Sequence, residues 1–297
     1  MRFFVSKVHD SLNSRPYRPE LETPYLCLNP YYNVTLTEGA DVRYLLDSGA
    51  FQDVKGNRLS YGDALDRQLA FEKRVGRDAY AIVSYDRLVD EQMVDGRQIK
   101  ERVSKEVGEG YVRDTLEAAE YLASRRDELG GRKLVLSCQG SDAEQYLDCL
   151  DEMLKIADPG DIIGFGGYCI LSKSKRYEEQ YYEVLREGFP RIRDAGIDRV
   201  HVFGMGVFRA LVQTDIFGRM NGIECSYDTS AAELNAVFGR SFNPMQGQMN
   251  KVFDKGHKNK GYCSADLTIM NVRLIGNYWE EVGRMPLPEE FVPCMQG

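Results

Sequence analysis

Lys133-Leu134-Val135-Leu136-Ser137-Cys138-Gln139-Gly140-Ser141-Asp142-Ala143-Glu144 decides the fold class of this chain. A continuous apolar run ends in small and polar residues. A Ser-Asp-Ala-Glu capping box then opens a helix whose buried stripe is Ala143, Tyr146, Leu147, Leu150 and Leu154. A second apolar run, Asp161–Gly166, follows. Strands apolar on both faces and joined through a helix are parallel strands covered by helices. The pattern recurs at Arg2–Ser6, Tyr25–Asn29, Tyr44–Asp47, Tyr80–Tyr85, Val200–Gly204 and Ile223–Tyr227, which makes eight candidate strands. Further helices are expected at Tyr111–Leu122, at Glu178–Leu185 (stopping before Pro190) and at Thr268–Val282, the last packing through Ile269, Val272, Leu274 and Trp279. An open doubly wound sheet and a closed barrel both satisfy this alternation, and a count of eight favours a (β/α)8 TIM-type barrel.

The prediction is one barrel domain over residues 1–297, with rim residues between 47 and 230 and a C-terminal loop and helix over 231–297. Asp10–Thr23 and Asn29–Gly39 read as irregular N-terminal loops, and the charge-rich stretch Arg87–Gly110 as an exposed excursion or lid. With 297 residues, 43% hydrophobic and 28% charged, the chain can bury a core without staples. The formal charge of −8 excludes a polybasic nucleic-acid binder that works by bulk charge, though not a local basic surface. No apolar run approaches the roughly 18 residues of a membrane span, and the N-terminal apolar stretch is too short for a signal peptide. Seven scattered cysteines read as reduced thiols, so the expected location is cytoplasmic and no membrane partner is expected.

The chemistry-bearing residues sit where the strands end. They are Asp47-Ser48-Gly49-Ala50-Phe51-Gln52, Ser84-Tyr85-Asp86, Ser137-Cys138-Gln139-Gly140, Gly164-Phe165-Gly166-Gly167-Tyr168, His201-Val202-Phe203-Gly204 and Cys225-Ser226-Tyr227-Asp228. Taken singly, each Asp reads as a helix cap, each Gly pair as turn geometry, and Gln139 as a backbone partner. On one barrel rim they converge as three carboxylates, an amide and exposed backbone amides around one pocket. Such a set suits a planar ligand rich in hydrogen bonds. A carboxylate takes two N–H groups from an amidine-like edge, Gln and a Gly-Gly amide meet a carbonyl oxygen, and Tyr or Phe stacks on the ring. Two further carboxylates allow acid–base and nucleophilic work at a glycosidic carbon. His201 reads as a packed or hydrogen-bonded strand residue, and Cys138, Cys169 and Cys225 as small buried thiols.

The order Asp-Ser-Gly-x-Phe-Gln, strand-end Asp, Gln-Gly, Gly-Gly, Phe-Gly-x-Gly and final strand-end Asp resembles the tRNA-guanine transglycosylase superfamily over residues 2 to 250. The resemblance implies the same barrel fold and a pentosyltransferase activity. By that resemblance Asp228 is the nucleophile at C1′, and Asp47 is the general acid/base for the departing guanine and the incoming base. Asp86 would recognise the guanine-type edge, and Gln139 with the Gly166 and Gly167 amides would hold the base oxygen. Ser48, Phe51 and Tyr168 complete the implied base pocket. The usual second Gly of the first motif is Ala50 here. The superfamily's zinc site, a Cys-x-Cys-x-x-Cys cluster with a later His, has no counterpart, since His257, Cys263 and Cys294 are the candidates left after Asp228 and lack close spacing. Four ligands are needed for a structural zinc, so no metal or other cofactor is expected.

A short chain lacking that cluster, with little room after the last helix, resembles the DNA-modifying, DpdA-type branch, which inserts 7-cyano-7-deazaguanine (preQ0) into DNA. The expected partners are therefore DNA, a free 7-deazaguanine base, and a second copy or partner protein, in a bacterial or infected host cell. Lys251, Lys255, Lys258 and Lys260, joined by Lys173 and Lys175, form the candidate phosphate-contacting strip. Competing readings are the same exchange on tRNA, a non-catalytic nucleic-acid-binding barrel subunit, and an unrelated barrel enzyme of sugar chemistry.

Overall fold

A computed structural model describes residues 1–6, 22–54, 58–94, 97–252 and 261–287, and side chains of 261–264 are not included. In chain order the strands are β1 (Arg2–Ser6), β2 (Tyr25–Leu28), β3 (Arg43–Leu46), β4 (Ala81–Val83), β5 (Gln92–Val94), β6 (Arg97–Ile99), β7 (Lys133–Cys138), β8 (Ile162–Phe165), β9 (Arg199–Val202), β10 (Glu224–Thr229), β11 (Arg240–Asn243) and β12 (Gln248–Lys251). The helices are α1 (Ala50–Asp53), α2 (Tyr61–Val75), α3 (Lys105–Ser124), α4 (Ala143–Ile156), α5 (Lys175–Asp194), α6 (Phe208–Met220), α7 (Ala231–Val237) and α8 (Gly261–Arg284).

All eight expected strands pair in parallel and close in the order β1-β2-β3-β4-β7-β8-β9-β10, with β10 returning to β1 through the Phe3–Tyr227 and Phe4–Asp228 pairs. The fold is the expected (β/α)8 barrel. Pairing parallel neighbours demands crossovers, and closure removes the exposed edges that an open sheet would leave. Alternation sorts the apolar runs into two cores. Phe4, Cys27, Leu45, Ala81, Val83, Val135 and Ile162 fill the barrel interior. Their neighbours Phe3, Val5, Leu26, Leu28, Leu46, Ile82, Leu134 and Leu136 pack outward against the helices. Two buried faces are the reason these strands read as continuous runs.

Helix α4 begins as expected, but its cap is Asp142, whose side chain accepts from the Gln145 amide at 2.9 Å. Ser141 instead bonds the Gln145 side chain, and Met153 rather than Leu154 completes the buried stripe. Helix α5 does not stop before Pro190 but runs through it to Asp194. Pro190 removes one hydrogen bond, while Tyr181, Val184, Leu185, Phe189 and Ile192 are all buried on the face beneath, and that burial outweighs the loss. The stretch from Arg87 to Gly110 is a lid only in part. Val89, Asp90 and Glu91 are buried at its root, β5 and β6 form its hairpin, and α3 already starts at Lys105. After β2 the expected loop is present, tied down by Arg74 to the Tyr32 carbonyl at 3.0 Å and by Arg77 to that of Ala40 at 2.8 Å. Most of Asp10–Thr23 lies outside the described residues.

Helix α8 covers the β10–β1 seam. Val272 and Trp279 are buried as expected, whereas Ile269 and Leu274 are half-buried, and Asn271 and Ile275 are buried beside them. Trp279 packs on Tyr227 and Phe208, and its Nε1 donates to the Tyr227 hydroxyl at 2.5 Å. Asn271 accepts from the Phe242 amide at 2.8 Å and so anchors the β11–β12 hairpin, which was not foreseen. No helix among the described residues is long and apolar enough to cross a membrane. Trp279→Ala is expected to lower the unfolding free energy by roughly 3–5 kcal/mol in urea titration. Trp279→Phe, which leaves the Tyr227 hydroxyl without its donor, is expected to cost about 1–3 kcal/mol.

Candidate active site at the barrel mouth

Alternation carries each interior strand row up to a cavity of about 390 Å³ at the C-terminal mouth. Leu45 is followed two residues later by Asp47, Val135 by Ser137 and Gln139, and Ile162 by Gly164 and Gly166. Asp47, Ser48, Phe51, Asp86, Gln139, Gly166, Gly167 and Asp228 all line this one cavity. Asp86 is the exception to the alternation. A tight turn, in which its amide donates to the Ser84 carbonyl at 3.0 Å, sends Tyr85 outward and Asp86 in.

The Asp47–Gln52 segment is held by a network below it. Gly49 takes φ +80°, and a Cβ there would meet Arg67 Nη2 at 2.7 Å, so glycine is required at 49 and not at 50. Ala50 opens α1 and is buried against Ala64, Tyr85 and Ala118. Asp53 at the end of α1 pairs with Arg67 at 3.0 Å and accepts from Tyr85 at 2.7 Å and from Tyr31, while Arg67 also reaches the Ser48 carbonyl. Above this network Asn29 donates to Asp47 Oδ2 at 2.7 Å and to Gln52 Oε1 at 2.9 Å. Burial, then the charges of Asp228 and Asp86, push the Asp47 carboxyl up to about 6, against the hydrogen bonds from Asn29 and Ser48.

Asp86 Oδ2 accepts from Gln139 Nε2 at 2.6 Å, and Arg58 donates to the backbone carbonyls of Asp86 and Tyr85, both at 2.8 Å. Burial raises the Asp86 carboxyl to about 6, opposed by the Gln139 hydrogen bond and the Arg58 charge. Gln139 lies directly over Gly166 and Gly167, where any side chain would collide with its carboxamide. The Gly166 amide is engaged by the Cys138 carbonyl at 3.2 Å, so of the expected pair Gly167 is the amide left for a base oxygen. Asp228 Oδ1 accepts from the Gly204 amide at 2.9 Å and lies 3.4 Å from His201 Nε2.

Several expected residues stand elsewhere. Tyr168 is not a stacking residue. Gly167 takes φ +76° and turns the chain, and Tyr168 packs into the outer core with ring centroids 4.6 Å from Tyr181 and 5.3 Å from Tyr146. Phe51 is half-exposed at the mouth, with Lys100 Nζ 5.3 Å from its ring centroid and Glu91 3.4 Å from the same amine. Lys173 donates to the Lys100 carbonyl and Lys175 pairs with Glu179, and neither lines the cavity. Lys251 is exposed at the end of β12. Lys255, Lys258, Lys260, His257 and Cys294 lie outside the described residues, as does the side chain of Cys263. Among the described residues no group of three His, Cys, Asp or Glu side chains is arranged around a metal position.

Asn29, Glu91 and Lys100 are cavity residues that strand-end reading missed. Asn29 is legible in retrospect, since it shares the inward parity of Cys27. His201 is packed and hydrogen-bonded, as expected. Cys169 was expected to be a buried thiol but is exposed at the cavity wall. Glu91 and Lys100 reach the mouth through the hairpin, which no local pattern announces.

No protein-family model matches the chain, and no curated protein matches it. Among solved structures, dihydropteroate synthase from Thermus thermophilus in complex with 4-aminobenzoate is similar at TM-score 0.33 and 16% identity, over 77% of this chain and 88% of that chain. A likeness of that size carries nothing about chemistry, and the architecture rests on the closed strand order itself.

Proposed function

We propose that this chain is a base-exchange transglycosylase that replaces guanine in DNA with a 7-deazaguanine of the preQ0 type through a covalent Asp228-glycosyl intermediate. The observation that carries the reading is the division of labour among three carboxylates in one cavity. Asp47 has its carboxyl raised to about 6 by burial and by its neighbours, the range in which a group both gives and takes a proton near neutrality. Asp228 is held through one oxygen by a backbone amide, which leaves the other for attack. Asp86, backed by Gln139, offers a fixed acceptor for two N–H groups of a guanine-type edge.

In the first half-reaction Asp228 forms a bond to C1′ while the C1′–N9 bond breaks. Its electron pair leaves with guanine, which takes the Asp47 proton. In the second, Asp47 removes the N9 proton of the incoming 7-deazaguanine, N9 bonds to C1′, and the ester electrons return to Asp228. Two displacements retain the configuration of the sugar. Phe51 at the mouth supplies a stacking face. The nucleotide must leave its strand to reach this depth, as in base flipping. The choice of DNA over tRNA follows the missing zinc-type cysteine cluster in the sequence.

Incubation with labelled guanine or preQ0 and either duplex DNA or tRNA is expected to label DNA, and labelling of tRNA alone would sink the DNA assignment. Asp228→Asn is expected to reduce exchange by at least about 10³-fold with the circular dichroism spectrum unchanged.

A second expectation concerns stability. As pH rises from 3.8 to about 6, the unfolded chain releases the Asp47 proton while the folded one retains it, so this group lowers stability across that window and by a constant amount above it. Asp47→Asn is therefore expected to abolish or strongly slow exchange yet stabilise the protein by about 1–3 kcal/mol above pH 6, with little change near pH 4.

Binding of the free base requires ionised Asp86. Affinity is expected to rise ~tenfold per pH unit up to about 6 and then level off, a slope that calorimetry should find lost in Asp86→Asn.

A further inference from the structure

Strands β9 and β10 set one polar pair, His201 and Ser226, beside Asp228. His201 is fully buried inside the barrel, with Phe4 and Phe203 in edge contact with its ring at centroid distances of 5.4 and 4.7 Å. Its Nδ1 lies 2.9 Å from Ser226 Oγ. Ser226 Oγ also lies 3.2 Å from the Val200 carbonyl, so its one hydroxyl hydrogen goes either to that carbonyl or to Nδ1, and Nδ1 is satisfied as donor or as acceptor. The other ring nitrogen, Nε2, has no hydrogen-bond partner and faces Asp228 Oδ1 at 3.4 Å. A bare Nε2 would set a buried lone pair against a carboxylate lone pair, which is costly away from water. A hydrogen on Nε2 turns the clash into a charge-assisted contact.

We infer that His201 carries a hydrogen on Nε2 against Asp228 Oδ1 and is the positioning residue that selects Oδ2 as the attacking oxygen. The second half of this statement rests on the transglycosylase reading; the first does not. Gly204 donates to the same Oδ1 at 2.9 Å, from a backbone at φ +60° that favours glycine. With both donors on Oδ1, Oδ2 is the oxygen left to bond C1′. In the glycosyl ester Oδ1 is the carbonyl oxygen. When N9 of the incoming base attacks C1′ and the C1′–Oδ2 pair returns to the carboxylate, the charge regained on Oδ1 falls between the His201 Nε2–H and the Gly204 amide. His201 thus stabilises the carboxylate over the ester and speeds the second displacement.

The other titratable groups near Asp228 are Cys27 on β2, Asp47 after β3, Cys169 after β8 and Tyr227 on β10. Burial pushes Cys27 and Tyr227 up, and the acids beside Cys169 raise its thiol, which leaves Asp47 as the neighbour whose charge changes near neutral pH.

The test combines nitrogen-15 NMR of the histidine rings with kinetics. The chain has three histidines, and His201 is assigned by its loss in His201→Gln or, should that variant not fold, by its shift in Ser226→Ala. At pH 7 the wild-type ring is expected to show a hydrogen on Nε2, and an unprotonated Nε2 overturns the inference. In His201→Gln, kcat for base exchange is expected to fall roughly 10²-fold with KM for the free base unchanged within about twofold. The covalent DNA adduct should then build up to a larger share of the enzyme on denaturing gels. A raised KM with kcat intact overturns the positioning role. A protonated Nε2 in a protein that exchanges no base on DNA or tRNA would uphold the proton placement and sink the transglycosylase reading instead.

Discussion

A closed parallel barrel leaves each strand residue two places to go, inward or outward, and neighbouring residues must alternate between them. That steric rule governs the whole molecule. It turns the apolar runs into an interior plug and an outer layer, and, except at Asp86, it fixes which strand-end residues face the mouth. Asp47, Gln139, Gly166 and Asp228 share the inward parity of the plug residues beneath them, so the cavity is the continuation of the barrel core by other residue types. A one-residue slip of any strand would turn its functional group into the helix layer.

Placing three carboxylates in one enclosed cavity opposes folding, and the surrounding donors show how the structure contains the cost. Asn29 reaches Asp47, Gln139 reaches Asp86, and the Gly204 amide reaches Asp228. These are neutral donors, which hold the oxygens in place without quenching the charge. Arginines near the site act mainly on backbone or on scaffold acids. Arg58 binds the carbonyls of Tyr85 and Asp86, and Arg67 binds Asp53 and Ser48. The carboxyls of Asp47 and Asp86 consequently stay high, near the range where proton transfer is useful. Strain is confined to glycines: Gly49, Gly167 and Gly204 each take a positive φ beside a functional side chain.

Sequence reading reached the eight strands and most of the cavity because both rest on local signals. Apolar runs mark parallel strands, and polar residues immediately after them mark the mouth. It failed where a long-range contact overrides a local rule. Pro190 reads as a helix stop, yet the buried face of α5 carries the helix through it. Tyr168 reads as a stacking residue, yet the turn at Gly167 delivers it to Tyr146 and Tyr181. Glu91 and Lys100 arrive from a hairpin whose fold against the rim is encoded in no short motif.

Local pattern alone determined that the chain alternates strand and helix, that the strands are buried on both faces, and that Asp47, Asp86, Gln139 and Asp228 follow strand ends. These properties depend on residues close in sequence. Only tertiary structure decided that the sheet closes, that these groups meet in one cavity, and that Asn29, His201 and the Gly204 amide hold them. Closure brings β10 beside β1 and β9 beside both β8 and β10, and hydrogen bonds between side chains on neighbouring strands exist only once that register is set. The raised carboxyls of Asp47 and Asp86 belong to the same class, because burial and charge proximity are properties of the assembled barrel and of no single segment.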